Sequence, residues 1–191
     1  MRDTDLAQIH RQALTATRKV IAGIKPNQWH ESTPCAEWDV RELANHVIAG
    51  NWWAAELAKG ATIASVGDRL DGDVLGTDPL RAYDDSAAVA AEVFEREGAM
   101  SAPCAVSYGP VPGSMYCGHR FIDVFVHGWD LAKATGQSTD LDPALVTACL
   151  EVVKPQAEMF AGSGMFGDSA PSPVAGTDPQ RELLTMLGRK P

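Results

Sequence analysis

The sequence predicts an all-α protein, an up-down four-helix bundle with short extra C-terminal helices and room for one small hairpin. Three observations lead there. Apolar residues recur at three- and four-residue spacing through four long stretches. Acidic helix-opening signals, Asp39 with Glu42, Asp78 with Pro79 and Asp142 with Pro143, stand at the start of several segments. The connections are short and rich in Gly and Pro, which favours antiparallel neighbours.

The first helix is expected over 4–24, where Leu6, Ile9, Ala13, Leu14, Val20, Ile21 and Ile24 share a face. KPNQWHESTPCAEW then carries two prolines and little periodicity, so it reads as a loop whose Trp29 and Trp38 cover one end of the core. Asp39 and Glu42 form a capping-box pattern opening a helix that ends near Gly60. Residues 61–78 are a Gly- and Asp-rich connection that has space for a short helix. Asp78, Pro79 and Gly98 bracket the next helix as cap, first residue and terminator. PCAVSYGPVPG has the punctuation of a turn between two short extended pieces, and a long helix follows over 114–135, closing at Gly136. Asp142 and Pro143 open a fifth helix that Pro155 should kink or shorten. The stretch 161–173 reads as irregular, and DPQRELLTMLG as a last short helix docking Leu183, Leu184 and Leu187. No internal repeat interrupts this pattern, and residues 1–191 are expected to form one domain.

Composition narrows the function classes. Sixteen Lys and Arg against twenty-five Asp and Glu give a formal net charge of -9 over 191 residues, a surface that phosphate backbones and anionic membranes would repel. The N-terminus mixes charge every few residues and lacks the apolar run of a signal peptide. Stretches such as VIAGNWWAA fall well short of the roughly 18 apolar residues of a membrane span. A soluble, cytoplasmic protein with reduced thiols at Cys35, Cys104, Cys117 and Cys149 is expected, since no Cys-x-x-Cys pair occurs.

The residues that could carry chemistry lie in HRFIDVFVHGWDLA. His119, Asp123 and His127 are spaced by four and share a helical face, with neighbouring Cβ atoms about 5–6 Å apart. A carboxylate and an imidazole one turn apart suit chelation of one divalent ion. Apolar Ile122, Val126 and Trp129 flank the stripe, which turns Asp123 and His127 partly inward, where an unpaired charge is costly. His46, between Leu43, Val47 and Gly50, lies on the apolar side of its own helix. Two histidines and one carboxylate leave a coordination position open, as in catalytic zinc sites, and also match the facial triad of non-haem iron. Spacing leaves the plainer alternatives standing: His46 bonded to a backbone carbonyl, and Asp123 paired with Arg120.

Asp130 follows His127 by three residues and either orients an imidazole or pairs with Arg41 or Lys133. His119 lies about 12 Å along the axis from His127, a rim or substrate-contacting position rather than a fourth ligand. His10 is assigned to a polar stripe and His30 to a loop, without a role. Cys35 is read as a buried, inert thiol, since no base accompanies it in the sequence. Trp38, Trp52, Trp53 and Trp129 are read as core or pocket wall.

TPCAEWDVRELANHVIAGN and FIDVFVHGWDLAKATGQ, together with the ending LLTMLGRKP, resemble stretches of the mycothiol-dependent maleylpyruvate isomerase N-terminal family, part of the DinB/YfiT-like metalloenzymes. The resemblance spans nearly the whole chain. It implies a four-helix bundle holding a divalent ion, zinc first with nickel as the alternative and iron left open by the ligand set, and thiol-dependent transferase or isomerase chemistry on a small electrophile. The family's ligands fall on His46, Asp123 and His127, with Asp where the isomerases have Glu. Asn51, Trp129, Asp130 and His119 are the neighbouring positions expected to orient ligands or touch substrate. The implied cosubstrate is a low-molecular-weight thiol such as mycothiol, in an assembly compatible with a homodimer. The isomerases continue into a second domain, where this chain has a short helical tail. A non-catalytic metal- or thiol-sensing module on the same bundle is the rival expectation.

Overall fold

The structure, a computed structural model, describes residues 3–156 and 178–190, with side chains from residue 5 onward; the stretch 161–173 expected to be irregular lies outside the described residues. The described chain is mostly helical with one two-stranded hairpin. In order come α1 (Asp3–Ala22), α2 (Val40–Ala58), the single turn α3 (Ile63–Val66), α4 (Pro79–Glu95), β1 (Pro103–Val106), β2 (Gly109–Pro112), α5 (Gly113–Ala134), α6 (Pro143–Val153), a 3-10 turn (Lys154–Gln156) and α7 (Pro179–Met186). They divide into two compact units, Met1–Gln137 and Ser138–Pro191.

Local chemistry sets the helix starts. At α2 the Asp39 carboxylate accepts the Glu42 amide at 2.9 Å while Glu42 accepts the Asp39 amide at 2.9 Å, so two amides without intrahelical partners are satisfied reciprocally. Asp78 accepts from the Arg81 amide at 3.1 Å with Pro79 at the first helical position of α4. The hairpin is antiparallel, with Cys104 opposite Val111, and its β2 runs directly into α5.

In the first unit α1 packs against α4 and α5, and α2 packs against the same two helices. Helix α5 is buried almost all round: from Tyr116 to Ala132 only Asp123 is not fully buried. That enclosure brings α1 close. The Thr17 hydroxyl donates to the Val124 carbonyl at 2.9 Å, and a Cβ at Gly128 would collide with that hydroxyl, so the glycine is the condition for the approach. Tyr83 of α4 donates to the Leu14 carbonyl at 2.8 Å and ties α4 to α1.

His10 is placed differently from its sequence reading. It is fully buried on the inner face of α1, with Leu6, Ala13, Leu14 and Thr17, edge-on to Phe94 at 5.4 Å. Among the described residues neither ring nitrogen has a hydrogen-bond partner. Burial first, then the nearby Arg120 and Arg11 charges, lower its pKa from 6.5 to about 3. Because the folded state refuses the proton that the unfolded chain accepts, His10 costs stability as pH falls below 6.5 and continues to do so until about 3. The loss reaches about 2 kcal/mol by about pH 5, at roughly 1.4 kcal/mol per pH unit. His10→Phe should remove that part of the acid limb, read as a smaller change in urea-unfolding free energy between about pH 7.5 and about pH 5. Equal acid sensitivity in both proteins would show that His10 is not the proton acceptor.

In the second unit, Asp142 accepts from the Ala144 and Leu145 amides at 2.8 and 3.2 Å to start α6. The helix gives way to the 3-10 turn that contains Pro155, as the missing amide of a proline requires. Helix α7 packs on α6 with Leu183, Leu184 and Leu187 buried, and Lys154 pairs with Glu182 at 2.8 Å. No helix among the described residues is long and apolar enough to cross a membrane.

Candidate metal centre

Helices α2 and α5 and the loop before α2 meet at one cluster. His46 projects from α2 with its Nε2 3.3 Å from Asp123 Oδ1 on α5, and His127 Nε2, one turn on, lies 3.5 Å from the same oxygen. The two imidazole rings stand 5.1 Å apart and nearly perpendicular. One donor atom from each of the three residues lies within 4.8 Å of the others. Ligands at about 2.0–2.1 Å from a tetrahedral ion stand about 3.3 Å apart, so this donor set fits a single divalent cation in both chemistry and spacing.

Two of the three side chains are held from behind. The carboxylate of Asp130 is fully buried and faces His127 Nδ1 at 3.0 Å. As a carboxylate only accepts, Nδ1 carries the hydrogen and donates it, which directs Nε2 toward Asp123. The second oxygen of Asp123 accepts from Arg120 Nη1 at 2.9 Å, and Arg120 Nη2 donates to Asn51 Oδ1 at 3.4 Å. Asn51 in turn donates to Ser86 at 3.2 Å. The guanidinium fits only because residue 50 is glycine: a Cβ there would collide with it. The pairing of Asp123 with Arg120, read from the sequence as an alternative to a ligand role, engages Oδ2 alone and leaves Oδ1 facing the two imidazoles.

The electrostatics favour positive charge between the carboxylates. Burial alone would raise the Asp123 pKa, yet Arg120, His46 and His127 hold it well below the carboxylate range. Burial alone would lower that of His127, yet Asp123, and hydrogen bonds with Asp123, Asp130 and Cys35, hold it well above the usual imidazole value.

The loop TPCAEW brings two side chains to the cluster, Trp38, read from the sequence as core or pocket wall, and Cys35. Trp38 stacks on His46, ring centres 4.5 Å apart at 28°, and forms a T-shaped pair with His127 at 6.1 Å. Cys35 is half-buried, with Sγ 3.5 Å from Asp130 Oδ2 and 3.8 Å from His127 Nδ1. The reading of this thiol as having no accompanying base is thus corrected: its partners arrive from α5. The loop is fixed there by bridges of its own, Thr33 donating to Trp38 O at 2.7 Å and Val40 to Glu31 O at 3.0 Å. Of the other sequence candidates, His119 Nδ1 is hydrogen-bonded to the Tyr108 hydroxyl on the hairpin. Trp129 is buried with Lys133 Nζ 4.7 Å above its ring. Arg41, considered as a partner for Asp130, pairs with Asp73 at 2.7 Å. His30 pairs with Asp39 at 2.9 Å on the surface.

The fold and the cluster define a class, that of helical proteins with a histidine and carboxylate centre between packed helices. Residues 10–132 match the profile of the mycothiol maleylpyruvate isomerase N-terminal domain. The chain belongs to that family, and His46, Asp123 and His127 all fall inside the matched span. Two proteins of Mycobacterium tuberculosis, from strains CDC 1551 / Oshkosh and ATCC 25618 / H37Rv and both described as uncharacterized, are each 38% identical over 195 residues, covering 97% of this chain and 98% of theirs. The crystal structure of the mycothiol-dependent maleylpyruvate isomerase shares the fold, with a TM-score of 0.65 at 18% identity over 86% of this chain and 75% of that one. A histidine-to-alanine mutant of the same enzyme superposes equally, with a TM-score of 0.65 at 17% identity.

Proposed function

We propose that this protein binds one divalent ion through His46, Asp123 and His127 and uses a low-molecular-weight thiol of the mycothiol type to transfer to, or isomerise, a small electrophile in the cytoplasm. The observation that carries the reading is the convergence of two imidazole nitrogens on one carboxylate oxygen, 3.3 and 3.5 Å away, with the second oxygen of Asp123 and Nδ1 of His127 already engaged behind them. Family membership supports the thiol and the isomerase class of reaction. The packing of α1 and α2 against α4 and α5 supports an up-down four-helix bundle as the frame. Zinc suits two imidazoles and a carboxylate best, with nickel or iron as alternatives.

Held by His46, Asp123 and His127, a divalent ion would lower the pKa of a thiol or water bound to it. The chain's residues do the rest. Asp130 fixes the tautomer of His127, Arg120 confines Asp123 to one free oxygen, and Trp38 stacks on His46 and packs in a T-shape with His127. The His46 side chain is 35% exposed, and it marks the side from which a thiol and its electrophile approach. A non-catalytic metal- or thiol-sensing module is the second reading, favoured by the thiol of Cys35 beside the centre.

Elemental analysis of the purified protein and of His46→Ala, with thiol-dependent turnover of model electrophiles, tests the proposal. One ion per wild-type chain, with turnover that requires both ion and thiol and is lost in the variant, is the expected result. Stoichiometric ion without turnover assigns the sensing module; no ion in either protein rejects both.

A further inference from the structure

The ring of His127 has two nitrogens, and each faces its own set of potential ligands. Nε2 faces His46 and Asp123; Nδ1 faces Asp130 Oδ2 at 3.0 Å and Cys35 Sγ at 3.8 Å, and the thiol is 3.5 Å from the same Asp130 oxygen. For a tetrahedral ion with bonds of about 2.0–2.1 Å to N and O and about 2.3 Å to S, the corresponding edges are about 3.3–3.6 Å. All three measured separations lie within a few tenths of an ångström of those edges, and these donor atoms again all lie within 4.8 Å of one another.

The geometry points to a second cation seat, formed by Cys35 Sγ, His127 Nδ1 and Asp130 Oδ2, that competes with the His46, Asp123 and His127 seat for the one lone pair of the neutral His127 ring and takes thiophilic ions. This rests on the reading of His127 as a ligand given above. A neutral imidazole has one lone pair and one N–H, so the two seats exclude each other, and both arrangements leave the ring satisfied. With an ion on Nε2, Nδ1–H donates to Asp130. With an ion on Nδ1, the ring proton sits on Nε2, 3.5 Å from Asp123 Oδ1, and that carboxylate becomes the acceptor. Each aspartate is a ligand in one state and a hydrogen-bond acceptor in the other.

Ligand chemistry separates the seats. The first offers nitrogen and oxygen alone; the second adds a thiolate, which favours zinc, cadmium or another soft ion over manganese or magnesium. Ion binding there replaces the S–H bond by a sulfur–metal bond and the Nδ1–H bond by a nitrogen–metal bond, and the thiol proton and one proton of the imidazolium go to solvent. The half-buried Cys35 is the accessible member of the set; Cys104, Cys117 and Cys149 are fully buried. The same seat makes the centre responsive to thiol-modifying reagents, which act on Cys35 and leave His46 and Asp123 untouched.

Cobalt(II) distinguishes the seats in the full-length protein, because a sulfur ligand adds a near-ultraviolet charge-transfer band that nitrogen and oxygen ligands do not give. The wild type is expected to bind one equivalent with that band. Cys35→Ser should still bind one equivalent but without it, and His46→Ala should keep both band and stoichiometry. Cobalt bound without the band, and lost in His46→Ala, overturns the second seat while leaving the first. A band retained in Cys35→Ser also overturns it, and two equivalents bound at once overturn the competition. Binding abolished by Cys35→Ser overturns the first seat alone, and no binding by the wild type overturns both.

Discussion

His127→Ala is expected to lose stoichiometric divalent ion and all thiol-dependent turnover, with a fall in metal affinity beyond the roughly 10–100-fold that removing an outer partner of a ligand costs. The reason is its place at the crossing of every contact in the centre. Its ring meets Asp123 at 3.5 Å, Asp130 at 3.0 Å and Cys35 at 3.8 Å, and packs edge-on to His46. The truncation also takes a partner from the fully buried Asp130, so some stability is lost with it. His127→Gln separates the two effects: its amide can still donate toward Asp130, while an amide is a much poorer ligand than an imidazole. Elemental analysis, with helical content followed by circular dichroism, reads both. An ion retained at one per chain in the glutamine variant would sink the assignment of His127 as a ligand.

The frame of this centre was legible in the sequence because it depends on short-range chemistry. The Asp39 and Glu42 capping box, the Asp78–Pro79 start of α4 and the four-residue step from Asp123 to His127 are all decided within one or two turns of chain. Each is found where the sequence places it. What the sequence hid lies across the fold. Cys35 and Asp130 are 95 residues apart, so no local pattern couples the thiol to its carboxylate. The slot for Arg120 exists because Gly50 lacks a side chain, and that glycine reads in isolation as a mere weak point of α2. His10 was misplaced for another reason: histidine counts as polar in a periodicity argument, although positions 6, 10, 13, 14 and 17 form one regular inner stripe of α1. Helix α5 offered the weakest guide to its own orientation, since a helix buried on nearly every side has no polar face to set against the apolar one.

Arg120 yields the second large effect, and one that tests the centre without touching a ligand. Arg120 is 7% exposed, and its guanidinium meets Asp123 Oδ2 on one side and Asn51 on the other. Arg120→Met removes the charge that compensates a buried carboxylate, a change that typically costs about 3–5 kcal/mol when one partner of a buried pair is left behind. His46 and His127 remain beside Asp123, so a loss near the lower end, about 3 kcal/mol, is expected at neutral pH. Arg120→Lys should recover only part of it, because an ammonium does not reproduce the planar fork that spans Asp123 and Asn51. The pH dependence has a fixed sign. The Asp123 pKa is depressed in the folded protein, so its contribution is present above the ordinary value of 3.8 and disappears as pH falls through the folded one. Wild type and variant should therefore converge in strong acid. A divalent ion bound to Asp123 would take over the compensation, and binding to the folded state alone would add stability in proportion to the logarithm of its concentration. The deficit of Arg120→Met, measured by urea unfolding, should accordingly be larger in chelator than in saturating zinc. A deficit of the same size in both would mean that the ion does not sit on Asp123, whatever the metal content of the protein.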